Sequence, residues 1–381
     1  MIMKISKTLL VDNLKKVSKA VNSKIDIPVL SGILVAANEN GVIFTGSSTE
    51  FSIRSKVLAG EDGLEILQEG SIVLPAKEFL NIAKALPDYL AILQRDGLQV
   101  KITSGKSEFT LNGMNADEYP KLQQNEAGSQ FIIESPVLKE MIEKTAFACS
   151  KSEIRPILTG VHLFEENGRI GMVATDSYRL SKIVEGEVLE GNIEGLQNIV
   201  IPQKTLKEIG TLIEHSEQVI VRLMNNGNYI GFETEGIEIF SKLLDGNYPD
   251  TNKLIPIEHN TLVKASRTGL LSAIERSMIL QQDNRKVIKL KISNNNNSMF
   301  KIIEVFTMSD EVGKSQEQVV VEDIQGEELE ISFNPEYLSD ALKALDDEQV
   351  IIEFNGSLRP FVVKPTSNDN HVQLVLPIRT Y

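Results

Sequence analysis

The sequence predicts an α+β chain of three similar domains, each with two helices packed on antiparallel sheets. Three observations predict it: strings that recur near 127 residues, the same order of elements within each recurrence, and a length of 381 residues that holds three copies. Ile72-Val73-Leu74-Pro75-x-Lys77 returns as Ile199-Val200-Ile201-Pro202-x-Lys204 at an offset of 127, and Ser48-x-x-Phe51-x-Ile53 returns as Thr175-x-x-Tyr178-x-Leu180 at the same offset. Pro28-Val29-Leu30-Ser31-Gly32 returns as Pro156-Ile157-Leu158-Thr159-Gly160 at 128, and Tyr119-Pro120 returns as Tyr248-Pro249 at 129. A third, weaker copy runs through Ile331-Ser332-Phe333-Asn334 to Leu338, Leu342 and Leu345. One such match arises easily by chance, but several at nearly one offset point to duplication. The period is too long for a solenoid unit, so each copy is a domain: 1–126, 127–255 and 256–381.

Each copy opens on an amphipathic helix. In the first, Leu10, Leu14, Val17 and Val21 fall on one helical face. Residues 29–57 then alternate, broken by a hairpin signal at Asn38-Glu39-Asn40-Gly41. Pro75 stands where a helix start tolerates it, and Phe79, Ile82, Ala83 and Leu86 form the second apolar stripe. Residues 98–112 alternate again. The second copy repeats the scheme with Leu138, Met141, Ile142 and Ala146, then Leu206, Ile209, Leu212 and Ile213. The third has Leu270, Leu271, Ile274 and Met278, then Leu338, Ala341, Leu342 and Leu345. Two helices on a strand-rich body make a layered α+β domain. Segment 293–318, with Asn294 to Asn297 in a row, reads as a variable hairpin without an assigned role.

The composition excludes several classes of function. A net charge of −14 is incompatible with a globally basic nucleic-acid coat protein, and 41% hydrophobic with 24% charged residues is an ordinary globular mixture. The single cysteine, Cys149, rules out an intramolecular disulfide and a thiolate metal cluster; at the end of an apolar helical pattern it reads as a buried structural thiol. His162, His215, His259 and His371 are too scattered for a His-rich metal site. No metal or other cofactor is expected. No stretch of 18 apolar residues occurs and the N-terminus lacks the apolar region of a signal peptide, so a soluble chain of a reducing compartment is expected. Gly105-Lys106-Ser107 is the nearest approach to a phosphate loop. The glycine such a loop needs five residues earlier is Val100, so the tripeptide reads as a hairpin turn. No dinucleotide, zinc-protease, calcium-loop or nucleophile-elbow motif occurs, and a non-catalytic role is expected.

Charge is distributed unevenly. Helical windows 7–24, 75–86, 135–152, 202–214, 265–285 and 334–345 carry +4, +1, +1, 0, +1 and −1, a total of +6, which leaves −20 for everything else. Lysine decorates any solvated helix, so one reading is a plain surface. The sharper reading is that the helices face one polyanion while the remainder repels it. A modest excess of positive charge, without tryptophan or interleaved aromatics, argues against base reading. It suits sequence-independent contact with phosphates. The residues alone also leave open a scaffold that binds through its acidic surface, and carboxylate chemistry in an interdomain cleft, which has no motif behind it.

Five strings carry a resemblance: Arg155-Pro156-Ile157-Leu158-Thr159-Gly160, Ala174-Thr175-Asp176-Ser177-Tyr178-Arg179-Leu180, Asp245-Gly246-Asn247-Tyr248-Pro249-Asp250, Phe333-Asn334-Pro335-Glu336-Tyr337 and Leu374-Val375-Leu376-Pro377-Ile378-Arg379. In this order, with the triplication and the Pro-Ile-Arg ending, the whole chain resembles the bacterial DNA polymerase III beta subunits, the sliding clamps. The resemblance implies the DNA clamp fold and a head-to-tail homodimer that closes into a cytoplasmic ring. Twelve helices would line the hole around duplex DNA, with the sheets outside. It also implies a processivity subunit that tethers the replicative polymerase, the clamp loader and repair proteins through short peptides.

Carried over by motif, the peptide pocket consists of Leu158, Thr175, Ser177, Tyr178, Arg179, Leu180, Pro249, Leu254, Asn334, Tyr337, Leu374, Val375, Leu376, Pro377, Ile378 and Arg379. Its aliphatic and aromatic walls would take apolar anchors, with Asn334, Arg179 and Arg379 orienting polar groups. DNA-contacting positions are expected at Lys24, Lys77, Lys84, Lys144, Lys151, Ser152 and Lys204, and dimer contacts at Phe109, Leu111, Ile279 and Leu280. Departures from the family pattern are Ser177 and Tyr178 where glycine and histidine are common, Lys253 for an arginine, loop 281–285 without an aromatic, and Tyr381 beyond the usual ending.

Overall fold

A computed structural model describes the chain except residues 23–26, 61–62, 88, 121–126, 194–195, 197, 225–226, 282–285, 294–299, 310–311 and 380–381. Lys24, most of loop 281–285, the run Asn294 to Asn297, and Tyr381 therefore lie outside the described residues. Among those described, six α-helices follow the expected order: α1 Lys7–Ser18, α2 Ala76–Ala85, α3 Ser135–Thr145, α4 Gln203–Leu212, α5 Arg267–Met278 and α6 Pro335–Lys343. Their starts are set locally. The Ser6 hydroxyl accepts the Leu9 N–H, Ser266 accepts from Gly269, and the Asn334 side chain accepts from Glu336, each satisfying a backbone donor that the helix leaves open. The predicted stripes face inward. Leu10, Leu14, Val17, Phe79, Leu206, Ile209, Leu270, Ile274, Leu338 and Leu342 are fully buried, each worth about 1.5–3 kcal/mol of apolar burial. Val21, Ile82, Leu212, Leu271 and Met278 are half-buried at the margins of those stripes. Cys149 is buried, as expected.

The described residues form two compact units. The first comprises Met1–Pro136, Val188–Gly195 and Lys204–Leu243. It holds an antiparallel five-stranded sheet in the order Leu64–Gln68, Ile2–Ser6, Leu90–Asp96, Gln99–Ser104, Ser107–Asn112. Its other sheet has nine strands, ordered Glu190–Gly191, Ala127–Glu134, Gln218–Met224, Tyr229–Thr234, Ile237–Lys242, Phe51–Leu58, Gly41–Ser47, Gly32–Asn38, Gly70–Pro75. The Gly105-Lys106 segment is a hairpin turn, with Gly105 at φ 57°, a backbone conformation glycine adopts freely.

The second unit comprises Val137–Glu187, Leu196–Gln203 and Leu244–Tyr381. Its nine-stranded sheet runs Ile199–Pro202, Gly160–Glu166, Arg169–Thr175, Arg179–Gly186, His371–Val375, Phe361–Pro365, Gln349–Phe354, Thr261–Ser266, Asp323–Gly326. A four-stranded sheet follows the order Gly313–Val321, Lys301–Ser309, Ile288–Ile292, Leu329–Phe333. The hairpin expected at 293–318 is thus the pair Lys301–Ser309 and Gly313–Val321. The middle repeat contributes elements to both units.

Within each unit one strand pair joins two repeats. In the first, Phe51–Leu58 pairs with Ile237–Lys242, with Ile53 opposite Ile239 and Phe51 opposite Ser241. In the second, Arg179–Gly186 pairs with His371–Val375, with Ser181 opposite Gln373 and Arg179 opposite Val375. The two joints are counterparts. The Ser48 N–H donates to the Phe51 carbonyl at 2.9 Å as the Asp176 N–H does to the Arg179 carbonyl at 3.4 Å. The turns therefore match at an offset of 128, one more than the similarity of their strings suggests, and Phe51 corresponds to Arg179 rather than to Tyr178.

Candidate functional site

The turn Thr175–Arg179 organises one end of the second joint. The Asp176 carboxylate accepts the Tyr178 and Arg179 N–H groups at 2.9 Å each, and the Thr175 hydroxyl donates to the Arg179 carbonyl at 2.6 Å. Ser177 takes φ 77°, the left-handed region where glycine is the unstrained choice. The turn sends Tyr178 outward, 62% exposed, and Arg179 inward.

Arg179 is fully engaged. Its Nε lies 3.1 Å from Asp176 Oδ2, Nη1 2.5 Å from Asp340 Oδ2, and Nη2 donates to the Phe147 carbonyl at 2.7 Å. The guanidinium carbon sits 4.9 Å from the Tyr337 ring centroid and 5.4 Å from that of Phe147. Instead of offering donors to a ligand, Arg179 fixes Tyr337, Phe147 and the turn. Asn334 caps α6, and burial foremost raises the Tyr337 pKa.

Beneath the turn, Leu158, Val173, Leu180, Val200, Tyr248 and Leu374 form one buried cluster, with Leu376 and Ile157 half-buried against it. Burial pushes the Tyr248 hydroxyl's pKa up, so it stays protonated while its oxygen accepts the Thr175 N–H at 3.0 Å. Leu180 lies opposite Leu374 here; the same position of the first joint holds Ser52 opposite Phe240. The continuous aliphatic floor therefore belongs to the second joint alone. Pro377 bridges to Phe333, and the Ile378 N–H donates to the Ser332 carbonyl at 2.7 Å, which ties the C-terminal segment to α6's approach strand. Tyr178, Leu254 and Ile378 remain exposed large apolar groups, and Pro249 and Arg379 are also exposed.

Val375 departs from the expected set. Successive side chains of a strand point to opposite faces, and Val375 packs with Phe333 and Phe361 in the third repeat's core while Leu374 faces the groove. Sequence reasoning missed Tyr248, Phe147, Asp176 and Asp340. The repeated Tyr-Pro dipeptide was a signal for Tyr248; Asp340 had none, because its role depends on tertiary contact with Arg179. A separate cavity of about 550 Å³ opens at the far ends of these strands, lined by residues that include Glu166, Arg169, Lys182 and Asn252. There Lys182 Nζ is held 2.5 Å from Glu166 and 3.0 Å from Asn252.

The expected cationic positions differ among themselves. Lys77 and Lys84 on α2, Lys204 on α4, and Lys151 and Ser152 in a loop are exposed. The Lys204 ammonium lies 5.8 Å from the Phe51 ring centroid. Lys144 does not fit the expectation of a free cation. Its side chain is only 15% exposed and is paired with Glu140 and, at 2.7 Å, with Asp346. Burial alone would lower its pKa, but the hydrogen bonds it donates to Asp346 and Glu140, together with their negative charges, outweigh burial and hold the pKa up. Among the described residues no group of three or more metal-ligating side chains is placed to hold an ion, and no helix is long and apolar enough to cross a membrane.

The four expected interface residues also divide. Phe109 and Leu111 are half-exposed on Ser107–Asn112, an outer strand of its sheet. The hairpins ending in that strand and in Ile237–Lys242 match at an offset of 130, and the counterparts Ile239 and Ser241 are buried. Ile279, just past α5, is 72% exposed, and Leu280 is half-buried.

Residues 1–123, 132–250 and 252–379 match the N-terminal, central and C-terminal domains of the DNA polymerase III beta subunit. The chain is 39% identical to the beta sliding clamp of Bacillus subtilis over 382 residues, 99% of each chain, and 37% identical to that of Staphylococcus epidermidis at the same coverage. The crystal structure of the Bacillus subtilis DNA polymerase sliding clamp superposes with a TM-score of 0.92 at 37% identity, covering 100% of both chains. The sliding clamp of Pseudomonas aeruginosa bound to griselimycin does so with 0.89 at 27% identity and the same coverage. Matched along its whole length by relatives of this kind, and folded as they are, the chain belongs to the DNA polymerase III beta subunit family of sliding clamps.

Proposed function

We propose that two copies of this chain close head to tail around duplex DNA as a non-catalytic processivity subunit. In that role the closed dimer tethers the replicative polymerase and is handled by the clamp loader and repair proteins. The observation that carries this reading is the repeated joint. Both internal joints pair the strand after the four-residue turn of one repeat with the last hairpin strand of the next. Two counterparts are left on outer edges: Gly313–Val321 in the third repeat and Ser107–Asn112 in the first. A second copy supplies each with the partner it lacks, as a closed heterologous interface requires. The half-exposed Phe109 and Leu111 then become buried like their counterparts Ile239 and Ser241.

Phosphates of the enclosed duplex are met by Lys77, Lys84, Lys151, Ser152 and Lys204, with Lys24 added from the sequence and Lys144 serving a structural pair instead. Such contacts position without reading sequence. The groove over Leu158, Leu180 and Leu374, walled by Thr175, Ser177, Tyr178, Pro249, Leu254, Asn334, Tyr337, Leu376, Pro377, Ile378 and Arg379, takes short peptides with apolar anchors. The griselimycin complex of the Pseudomonas aeruginosa relative supports a ligand site on members of this family. The three repeats are assigned to 1–126, 127–255 and 256–381, and the protein to the bacterial cytoplasm, where replication takes place. Retention on DNA tests the reading. Protein loaded on a closed circle should stay bound and should leave once the circle is linearised. Equal retention on both, or a monomeric mass in solution, would refute it.

A further inference from the structure

Both internal joints carry an ion pair at one helix position. α2, α4 and α6 align from their first residues, with Phe79, Leu206 and Leu338 buried at the same turn, so that Asn81, Glu208 and Asp340 correspond. Glu208 Oε2 lies 3.0 Å from Lys19 Nζ, a cation of the preceding repeat. Asp340 Oδ2 lies 2.5 Å from Arg179 Nη1, again a cation of the preceding repeat, held against Phe147. Phe147 is the second repeat's counterpart of Lys19, counted from the first residues of α1 and α3.

In the first repeat the acidic position is filled by Asn81, which is exposed. The counterpart of Lys19 in the third repeat is Ile279: α1 and α5 are both twelve residues long, both follow a capping serine, and Lys19 and Ile279 are their C-caps. The nearest α5 cation, Arg276, is held by Glu317 at 2.6 Å.

We propose that Asn81 faces Ile279 of the partner subunit, so that the joint between subunits lacks the ion pair present at both internal joints and parts more readily for that reason. This rests on the head-to-tail reading. A partly exposed ion pair such as Lys19–Glu208 is a modest, salt-screened contribution, and a closed dimer has two joints that lack it.

Subunit exchange between two differently labelled dimers of the full chain tests it. Asn81→Glu combined with Ile279→Lys should slow exchange about fivefold at low salt, an advantage that high salt removes, while neither single change slows it. The swapped pair, Asn81→Lys with Ile279→Glu, should show the same coupling. Additive single effects in both arrangements would overturn the proposal. So would Asn81→Glu slowing exchange unaided, since another cation would then face it. A monomeric unmodified chain would strike instead at the head-to-tail reading beneath it.

Discussion

Arg179 and Asp340 hold each other at 2.5 Å across the strand pair that joins the second and third repeats. The arginine side chain is only 10% exposed, so removing the aspartate leaves a nearly buried cation with Asp176 as its remaining carboxylate. Asp340→Ala should destabilise the protein by about 1–3 kcal/mol and lower its melting temperature. A double-mutant cycle with Arg179→Met should return a coupling of the same sign; strictly additive effects would mean that the pair contributes nothing to the joint.

The groove is best probed from its rim. Leu180 is 1% exposed, so a charge placed there would damage the core and confuse folding with binding. Tyr178→Glu or Pro377→Arg should abolish stimulation of the polymerase and weaken peptide binding by tenfold or more, about 1.4 kcal/mol, with dimer mass unchanged. Undiminished peptide affinity in both variants would displace the groove from this site.

Ser177 pays for a backbone conformation that a side chain disfavours. Ser177→Gly relieves that strain but adds freedom to the unfolded chain, so a net gain near 0.5 kcal/mol is expected by denaturant unfolding. A loss of 1 kcal/mol or more would show that the serine makes a compensating contact.

Lys77 and Lys84 lie seven residues apart on one exposed face of α2. Reversing both to glutamate should shorten retention on circular DNA and make it less steep in salt, because fewer phosphates are neutralised, with folding stability changed by no more than about 0.5 kcal/mol. The same loss should appear on any DNA sequence. A sequence-dependent loss would contradict contact through phosphates alone.

A half-buried histidine, His162, and a buried one, His371, should weaken the fold in acid. Burial lowers the pKa of His162, stacked on Tyr248 at 5.2 Å, to about 4, and burial with nearby Lys144 lowers that of His371 to about 4. A depressed histidine pKa means that the unfolded chain binds more protons between about 4 and 6.5. Stability is therefore full above about 6.5, is lost as the pH falls toward 4, and does not depend on these groups below that. Melting temperatures measured from pH 7 to pH 4.5 should decline, and His162→Phe should flatten part of that slope. An unchanged slope would remove His162 from the account.

Much of this was legible in the residues. The stripes through Leu10, Leu14 and Val17, or Leu338 and Leu342, mark buried faces because the helical period is fixed by backbone geometry. The triplication was legible for the same reason, since similar local chemistry repeats wherever the same element is needed. What failed was information that only packing creates. Lys144 looks like any surface lysine until Asp346, two hundred residues away, is placed beside it. Arg179 reads as a ligand hook, yet Asp340 and two aromatic rings consume it. Val375 shares a motif with Leu374 but faces another core, because strand alternation splits a contiguous string. The one-residue slip at the turn arose because side-chain likeness, Phe51 to Tyr178, competed with the hydrogen-bond pattern that defines the turn.

The ladders that cross repeat boundaries constrain any attempt to cut the chain. A fragment ending near residue 123 keeps Phe51–Leu58 but loses Ile237–Lys242, the neighbour that satisfies its outer amides. One beginning near residue 252 strands His371–Val375 in the same way. Truncation at sites that look like clean divisions in the sequence thus manufactures raw sheet margins, and such pieces should clump unless supplied with the missing segment in trans.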